Sequence, residues 1–216
     1  MPKIISFLSE KGGSGKTTDA TNIACAFQRY HAAESVETLL IDADPQGSSR
    51  NWNDANHGTM VPVIGLDRDT IAVDLKAISH GYHYIIIDGA PRIAKTTSAA
   101  IRVSDLIVIP VQPSPYDVWA CADLVDLIRA RQEVSGGFPD ACFLISRAIK
   151  GTKLSAEVHE ALNVYGLPVL ESFTTQRVAY PTSAAKGLSI YQSADKEAIK
   201  EIDSIYKEIL ERVYKI

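Results

Sequence analysis

Residues 11–18 read Lys11-Gly12-Gly13-Ser14-Gly15-Lys16-Thr17-Thr18 and stand between an apolar run, Ile4–Leu8, and a segment with helical periodicity that reaches about Tyr30. Glycines allow the backbone to curl until several N–H groups point at one anion. The N-terminus of the following helix adds a partial positive charge. The stretch therefore predicts a phosphate-binding loop, in which Lys16 reaches the phosphates and the Thr17 hydroxyl binds Mg²⁺.

Apolar runs alternate with amphipathic segments along the rest of the chain. Short apolar runs predict buried strands at 4–8, 38–41, 84–87, 106–109 and 141–145, with a short sixth strand at 168–170. Apolar residues spaced by three or four predict helices at 71–78, from 117, at 153–165 and from 195 onward. Pro110 is expected to end the fourth strand, because proline interrupts a central ladder. The alternation predicts an α/β fold with a mostly parallel central sheet and helices on both faces.

Composition limits the class of protein. The chain has 216 residues, of which 46% are hydrophobic and 22% charged, and this predicts a single domain spanning 1–216. It has no run of 18 apolar residues and no signal-peptide pattern, so a cytoplasmic protein is expected. Its three cysteines are too far apart for a disulfide framework or a CxxC metal site. The net charge is −4, although residues 141–190 hold five basic residues against three acidic ones.

Acidic residues follow two of the predicted strands. Asp42 and Asp44 come at the end of the second strand, and Asp88 comes at the end of the third. Because ligands bind at the carboxyl ends of parallel strands, we expect these side chains to face the glycine loop. Asp88 is a candidate Mg²⁺ ligand, since this metal takes few protein ligands and keeps several waters. Alternatively, Asp42 or Asp44 caps a helix that begins near Gln46.

The glycine loop departs from the common pattern G-x-x-x-x-G-K-[ST], because Glu10 occupies the first glycine position and Lys11 follows it. Further matching segments are Ile41–Gly47, Ile87–Pro91, Val108–Pro115, Thr175–Tyr180 and Ala185–Leu188. With these segments the chain resembles the deviant Walker A ATPases of the ParA/MinD superfamily. Within that superfamily it is most similar to the small ParA-type plasmid or chromosome partition ATPases, which lack an N-terminal helix-turn-helix domain.

This resemblance implies a P-loop NTPase fold that hydrolyses ATP to ADP and phosphate with Mg²⁺. It implies that Asp44 positions the attacking water, and that Lys11, which has no evident task within its own subunit, reaches the nucleotide of a second subunit. Catalytic roles thus fall to Lys11, Lys16 and Asp44. The implied nucleotide contacts are Lys11, Gly12, Gly13, Ser14, Gly15, Lys16, Thr17, Thr18, Asp88 and Arg147, and the implied metal site comprises Thr17, Asp42 and Asp88. Base contacts are expected from Arg147 and the stretch near Gln176–Pro181.

The function that the resemblance implies is DNA partition. ATP would join two copies into a homodimer, the dimer would bind non-specific DNA, and a small centromere-binding protein would stimulate hydrolysis. The protein would be cytoplasmic and associated with the nucleoid rather than with a membrane. Candidate DNA contacts are Arg147, Lys150, Lys153, Arg177 and Lys186, because salt-sensitive binding grows with the number of phosphate contacts.

Two other functions stay open on the same fold. A MinD-like ATPase would lie on a membrane through an amphipathic C-terminal helix, but the helix predicted from 195 carries six acidic residues, a poor match for anionic lipid. A metabolic or metal-trafficking ATPase would need an additional substrate pocket or metal-binding cysteines, and the sequence shows no such cysteine pattern.

Overall fold

The computed structural model describes residues 1–32, 37–92, 95–149 and 154–215. Its centre is a sheet of six strands in the order β3-β2-β4-β1-β5-β6. The strands are β1 (Lys3–Phe7), β2 (Thr38–Asp42), β3 (Val63–Gly65), β4 (Tyr84–Asp88), β5 (Leu106–Val111) and β6 (Asp140–Ile145). Each neighbouring pair is parallel. The predicted α/β architecture is therefore confirmed, with an entirely parallel sheet among the described strands.

Helices cover both faces of this sheet, because its inner strands carry apolar side chains on both faces. The helices are α1 (Lys16–His31), α2 (Ser48–Ala55), α3 (Ile71–Ile78), α4 (Lys95–Val103), α5 (Pro115–Trp119), α6 (Ala122–Val134), α7 (Leu154–Asn163), α8 (Ala179–Ala184) and α9 (Lys196–Lys215). One face packs against α1 and α9 through residues such as Ile23 and Ile205. The other packs against α3, α4 and α6 through residues such as Ile71 and Ile128.

Several elements differ from the sequence-based prediction. β3 was missed because it has three half-buried or exposed residues at the sheet edge. α4 and α8 were missed because small and polar residues dilute their apolar periodicity, and α2 was expected only in the alternative of a capped helix near Gln46. The single helix expected from Asp117 is two helices, since the chain turns at residues 120–121 between α5 and α6. The run 168–170 forms an isolated bridge between Val169 and Phe143 rather than a strand.

Pro110 lies inside β5, so the prediction that it ends the strand was wrong. The Val108 carbonyl accepts a hydrogen bond from Leu8 on the β1 side, and the Val111 carbonyl accepts one from Ser146 on the β6 side. The backbone N–H and C=O groups of successive residues point to alternate sides of a strand. The backbone nitrogen of Pro110 therefore points toward β1. β1 has already ended at that level, and no ladder bond is lost there.

The apolar stripe of α9 is part of the core. Ala198, Ile202, Ile205, Ile209 and Val213 are all buried, in one cluster with residues of α1 and the sheet. Packing therefore explains the feature that had suggested a membrane-bound helix. In the described ranges, no helix is both long enough and apolar enough to cross a bilayer.

Candidate functional site

The glycine loop connects β1 to α1 at the carboxyl edge of the sheet. Gly13 has φ 80° and Gly15 has φ 109°, left-handed conformations that glycine adopts without steric cost. Within the described ranges, no backbone N–H from Gly12 to Thr18 donates to a protein acceptor. The buried Ser14 hydroxyl also lacks a partner there. Unused donors at a helix N-terminus bind anions well, because the helix dipole reinforces them, so the loop fits phosphates.

Lys16 is a buried cation within this loop. Only 7% of the residue is exposed, and its Nζ donates to the Lys11 carbonyl at 3.0 Å. Burial lowers the pKa of Lys16, while the nearby carboxylates of Asp88 and Asp44 act in the opposite direction. A desolvated ammonium group gains strongly from a charged acceptor, so this placement suits the phosphate-binding role predicted for Lys16.

Lys11 has a different setting, with 42% of its side chain exposed. Its Nζ forms an ion pair with the carboxylate of Asp117, a side chain in the first turn of α5 that is only 5% exposed. Lys11 therefore has an ion-pair partner within its own subunit, which the sequence analysis did not predict. Asp117 lies in the first turn of a helix that begins at Pro115, two residues before the predicted start, and it also holds this lysine. A carboxylate 106 residues away thus fixes Lys11 against its own subunit.

Asp88 ends β4 and is fully buried beside Asp42 of β2. Its Oδ2 accepts a hydrogen bond from the Ser49 hydroxyl at 2.8 Å, whereas its buried Oδ1 has no partner in the described part of the chain. Burial raises the pKa of Asp88 to about 7, and the Ser49 and Thr17 hydroxyls oppose that rise. An unpartnered carboxylate oxygen near a threonine hydroxyl matches the hard oxygen ligands that Mg²⁺ prefers.

Asp42 is fully buried, but backbone groups engage its carboxylate. Its Oδ1 accepts from the Asp44 N–H at 3.1 Å, and its Oδ2 accepts from the Arg50 N–H in the first turn of α2 at 2.9 Å. The Arg50 Nε lies 3.5 Å from the same Oδ2. These contacts favour the capping alternative for Asp42, and its role as a metal ligand stays a prediction.

Asp44 is half-buried on the loop between β2 and α2. Its Oδ1 accepts from the Gln46 N–H at 2.9 Å, and its carbonyl accepts from the Arg50 guanidinium at 3.0 Å. Its charge acts on Lys16, which places the carboxylate near the phosphate loop. This position is compatible with holding a water, and that role also stays a prediction.

A cavity of about 860 Å³ opens beside the loop. It is lined by the start of α1, by Arg147 after β6, and by the segment Thr174–Val178 with Tyr180. Arg147 has φ 58°, and its guanidinium lies 3.5 Å from the Gly13 carbonyl. The volume is in the usual range for a small-molecule site, and the lining includes the region in which base contacts were expected.

The candidate DNA contacts do not assemble into one described patch. Lys150 and Lys153 lie outside the described residues. Lys186 is exposed in the turn after α8. The side chain of Arg177 is only 19% exposed and pairs with two carboxylates, at 3.0 and 3.1 Å. Arg177 is therefore half-buried and held by two carboxylates, and its role as a DNA contact stays a prediction.

Sequence reasoning missed several polar side chains that organise the site, namely Asp19, Ser49, Arg50 and Asp117. Each lies in the first turns of a helix, where polar residues are common for capping alone. Asp19 is an example: it is buried in the wall of the cavity, accepts a hydrogen bond from the Ser146 hydroxyl at 2.6 Å, and has its pKa raised to about 7 by burial. No local pattern distinguishes such residues from ordinary caps.

Gly89, the residue after Asp88, provides a test of how tightly this edge is packed. A Cβ at Gly89 would overlap Leu8 Cδ2 and lie 2.9 Å from the Phe7 carbonyl oxygen. We expect Gly89→Ala to destabilise the protein by roughly 1–3 kcal/mol, because the Phe7 backbone belongs to the central strand. Urea unfolding measures this loss. Gly12→Ala, where a Cβ meets nothing within 4 Å, is the stability control; equal stability of the two variants would contradict the prediction.

Comparisons with known proteins agree with this geometry. A family model described as the CobQ/CobB/MinD/ParA nucleotide binding domain matches residues 5–190. The maintenance of carboxysome distribution protein A of Gloeobacter kilaueensis is 30% identical over 215 residues, which cover 98% of this chain and 94% of the relative.

Two solved structures share the fold. A putative plasmid partition protein of Borrelia burgdorferi B31 bound to AMPPNP has a TM-score of 0.74 at 20% identity, and the match covers 98% of this chain and 100% of that one. A McdA variant of Cyanothece in complex with ATP has a TM-score of 0.76 at 17% identity, covering 97% and 96%.

Proposed function

Because the chain belongs to the CobQ/CobB/MinD/ParA nucleotide-binding domain family and is a ParA/MinD-type ATPase, we propose that it acts in the partition of plasmid or chromosomal DNA. ATP joins two copies into a homodimer, and the dimer binds DNA without sequence preference. A small centromere-binding protein then stimulates hydrolysis to ADP and phosphate, and the dimer separates. In this proposal the protein is cytoplasmic and associated with the nucleoid.

The proposal rests on the different environments of Lys11 and Lys16, the two lysines of the glycine loop. Lys16 is buried near the carboxylates of the site, where it can serve the phosphates of its own subunit. Lys11 is substantially exposed and is paired with a carboxylate at the same edge. From there it can meet a nucleotide in a facing subunit, where it neutralises the charge that develops during phosphoryl transfer.

Dimerisation in this proposal exchanges one partner of Lys11 for another. Asp117 holds the lysine in the single subunit, and the phosphates of the second subunit compete for it. A triphosphate offers more negative charge than a diphosphate, so ATP favours the exchange more than ADP does. Binding of ATP and association of the subunits are then linked equilibria.

The site fits a Mg²⁺–ATP complex. The groups that would hold the metal are the Thr17 hydroxyl and Asp88, whose Oδ1 has no partner among the described residues. When bound, Mg²⁺ supplies charge that stabilises the phosphate oxygens. Lys16 and the free N–H groups of the loop orient the phosphates, and Asp44 positions the water. Arg50 and Asp42 keep the Asp44 loop in place through the contacts described above.

A second candidate function differs only in cargo. The relative from Gloeobacter kilaueensis is named for carboxysome distribution and matches nearly the whole chain. The same ATPase cycle could therefore position a protein assembly instead of a DNA molecule. The two candidates share the nucleotide chemistry and differ in the partner that stimulates hydrolysis.

Size-exclusion chromatography with light scattering tests the proposed cycle. With Mg-ATP, but not with Mg-ADP, the wild-type protein should elute as a dimer and carry duplex DNA of arbitrary sequence at low salt. Lys11→Ala should remain a monomer with either nucleotide. Asp117→Asn should dimerise at a several-fold lower protein concentration, because the competing carboxylate has been removed.

The double variant Lys11→Ala/Asp117→Asn is the matched control. It removes the buried carboxylate that the single lysine substitution leaves unpaired, so it separates the loss of the lysine from a local loss of stability. It should also remain a monomer. Monomers in every wild-type sample would refute the role of Lys11, and an ATP-dependent dimer that ignores DNA would refute DNA partition.

A further inference from the structure

One wall of the 860 Å³ cavity is the segment Thr174–Val178 together with Tyr180. Apart from one bridge to Ala148, residues 174–178 belong to no strand or helix. The backbone of the segment is tied to the chain after β6, since Ala148 donates to Thr174 at 2.8 Å and Gln176 donates to Ala148 at 2.9 Å. These backbone bonds hold only one side of the segment. Side-chain contacts hold the opposite side.

A single carboxylate in α9, that of Glu201, supplies this second attachment. Its Oε1 accepts hydrogen bonds from the Thr175 hydroxyl at 2.6 Å and from the Arg177 Nε at 3.0 Å. Its Oε2 accepts from the Thr175 N–H at 3.1 Å and from the Tyr180 hydroxyl at 2.9 Å. The side chain of Glu201 is 13% exposed, so water competes weakly for these charge-assisted bonds.

Arg177 extends the same attachment to the start of α9. Its NH1 lies 3.1 and 3.2 Å from the two carboxylate oxygens of Asp195. Asp195 in turn accepts from the Ala198 N–H at 3.1 Å and so caps the helix. The arginine therefore joins the cavity wall to two carboxylates of the C-terminal region.

We infer that Glu201 is a positioning residue for nucleotide binding, which holds the wall from Thr175 to Tyr180 in the shape that receives the nucleoside part of ATP or ADP. The inference rests on the proposed nucleotide site. Among the described residues that line the cavity, none belongs to α9, so Glu201 acts through the wall. It should affect affinity for the nucleoside and leave the phosphate loop and the hydrolytic step unchanged.

Helix α9 also offers a matched control, Glu208, two turns beyond Glu201. Its carboxylate accepts from the N–H groups of Glu171 and Ser172, at 3.0 and 2.7 Å. These residues precede the cavity wall and do not line it in the described structure. Glu208→Gln thus weakens the same kind of carboxylate-to-loop contact on the same helix, away from the cavity.

Calorimetric titration of the full chain with ADP and with tripolyphosphate tests the inference. Glu201→Gln should weaken ADP binding about tenfold, because an uncharged amide cannot accept all four hydrogen bonds. Tripolyphosphate, which has no nucleoside, should bind Glu201→Gln and the wild type with similar affinity. The KM for ATP should rise while kcat at saturating ATP stays the same within about twofold. Glu208→Gln should leave ADP affinity unchanged.

Tyr180→Phe is a milder variant that removes one of the four donors and keeps the ring, and it should weaken ADP binding by about two- to fivefold. Unchanged ADP affinity in both Glu201→Gln and Tyr180→Phe would overturn the inference. Equal losses of ADP and tripolyphosphate affinity in Glu201→Gln would overturn it as well, since they would assign Glu201 to general stability. A wild-type protein that binds neither ligand would refute the proposed function together with this inference.

Discussion

Lys16→Ala should lose nucleotide binding and lower ATP hydrolysis by roughly 100-fold or more, because removal of one pre-placed charge partner of the reacting group has effects of that size. Lys16 is a buried cation with a carbonyl as its hydrogen-bond partner at 3.0 Å. Folding has already removed the Lys16 ammonium group from water. Water therefore weakens its attraction to phosphate only a little. Alanine leaves the N–H groups of the loop without this charge.

Fluorescence titration with a labelled ADP analogue and a phosphate-release assay measure the two effects. Lys76→Ala is the control, since Lys76 is an exposed lysine of α3, and it should behave as the wild type does. Lys16→Ala should also fold normally, because the substitution removes a buried charge rather than an apolar contact. Nucleotide affinity within a few-fold of the wild type in Lys16→Ala would contradict the assignment of the loop.

Asp88→Asn should lose Mg²⁺-dependent hydrolysis by roughly 100-fold or more, while the nucleotide-free protein becomes more stable above neutral pH. The carboxylate of Asp88 is fully buried, and its Oδ1 has no partner in the described structure. Ionising it in the desolvated interior is unfavourable, and this is why burial raises its pKa to about 7, although the charge of Lys16 and the Ser49 and Thr17 hydroxyls oppose the rise. Asparagine keeps the shape, can still accept from Ser49, and carries no charge.

The pH dependence of stability follows from the same group. The pKa of Asp88 is higher in the folded state than in the unfolded state. At pH values between these two pKa values, the folded protein therefore holds the proton and the unfolded protein does not. The stability from this group is complete below the unfolded pKa and is lost as pH rises through about 7. The nucleotide-free wild type should therefore melt at a lower temperature at about pH 8 than at about pH 6, and Asp88→Asn should show a smaller difference.

Thermal unfolding at both pH values, together with phosphate release at saturating ATP, measures the two halves of this prediction. Asp54→Asn, at an exposed aspartate of α2, is the control and should change neither quantity. Asp19 also has its pKa raised to about 7 by burial, so a part of the pH dependence should remain in Asp88→Asn. Retained hydrolysis in Asp88→Asn would refute the metal role, and an unchanged pH dependence would refute the titration of this carboxyl.

The phosphate loop and the parallel sheet could be predicted from the sequence because their determinants are local. Glycines that permit left-handed φ, the lysine and the threonine are contiguous, and the flanking strand and helix follow from apolar periodicity. Asp42, Asp44 and Asp88 could be assigned to one edge, since parallel strands have their carboxyl ends together. Pro110 and β3 escaped prediction because strand order decides where a ladder bond is needed and which strand lies at the edge.

The tertiary structure decided which partner each of these groups has. Lys11 meets Asp117 because α5 begins shortly after β5, the strand that lies beside β1. Arg177, a candidate DNA contact in the sequence, pairs with Glu201 because α9 packs behind the cavity wall. Electrostatic pairing acts through space at a few ångströms. Such pairs depend on the order in which strands and helices pack, and no local pattern of residues encodes that order.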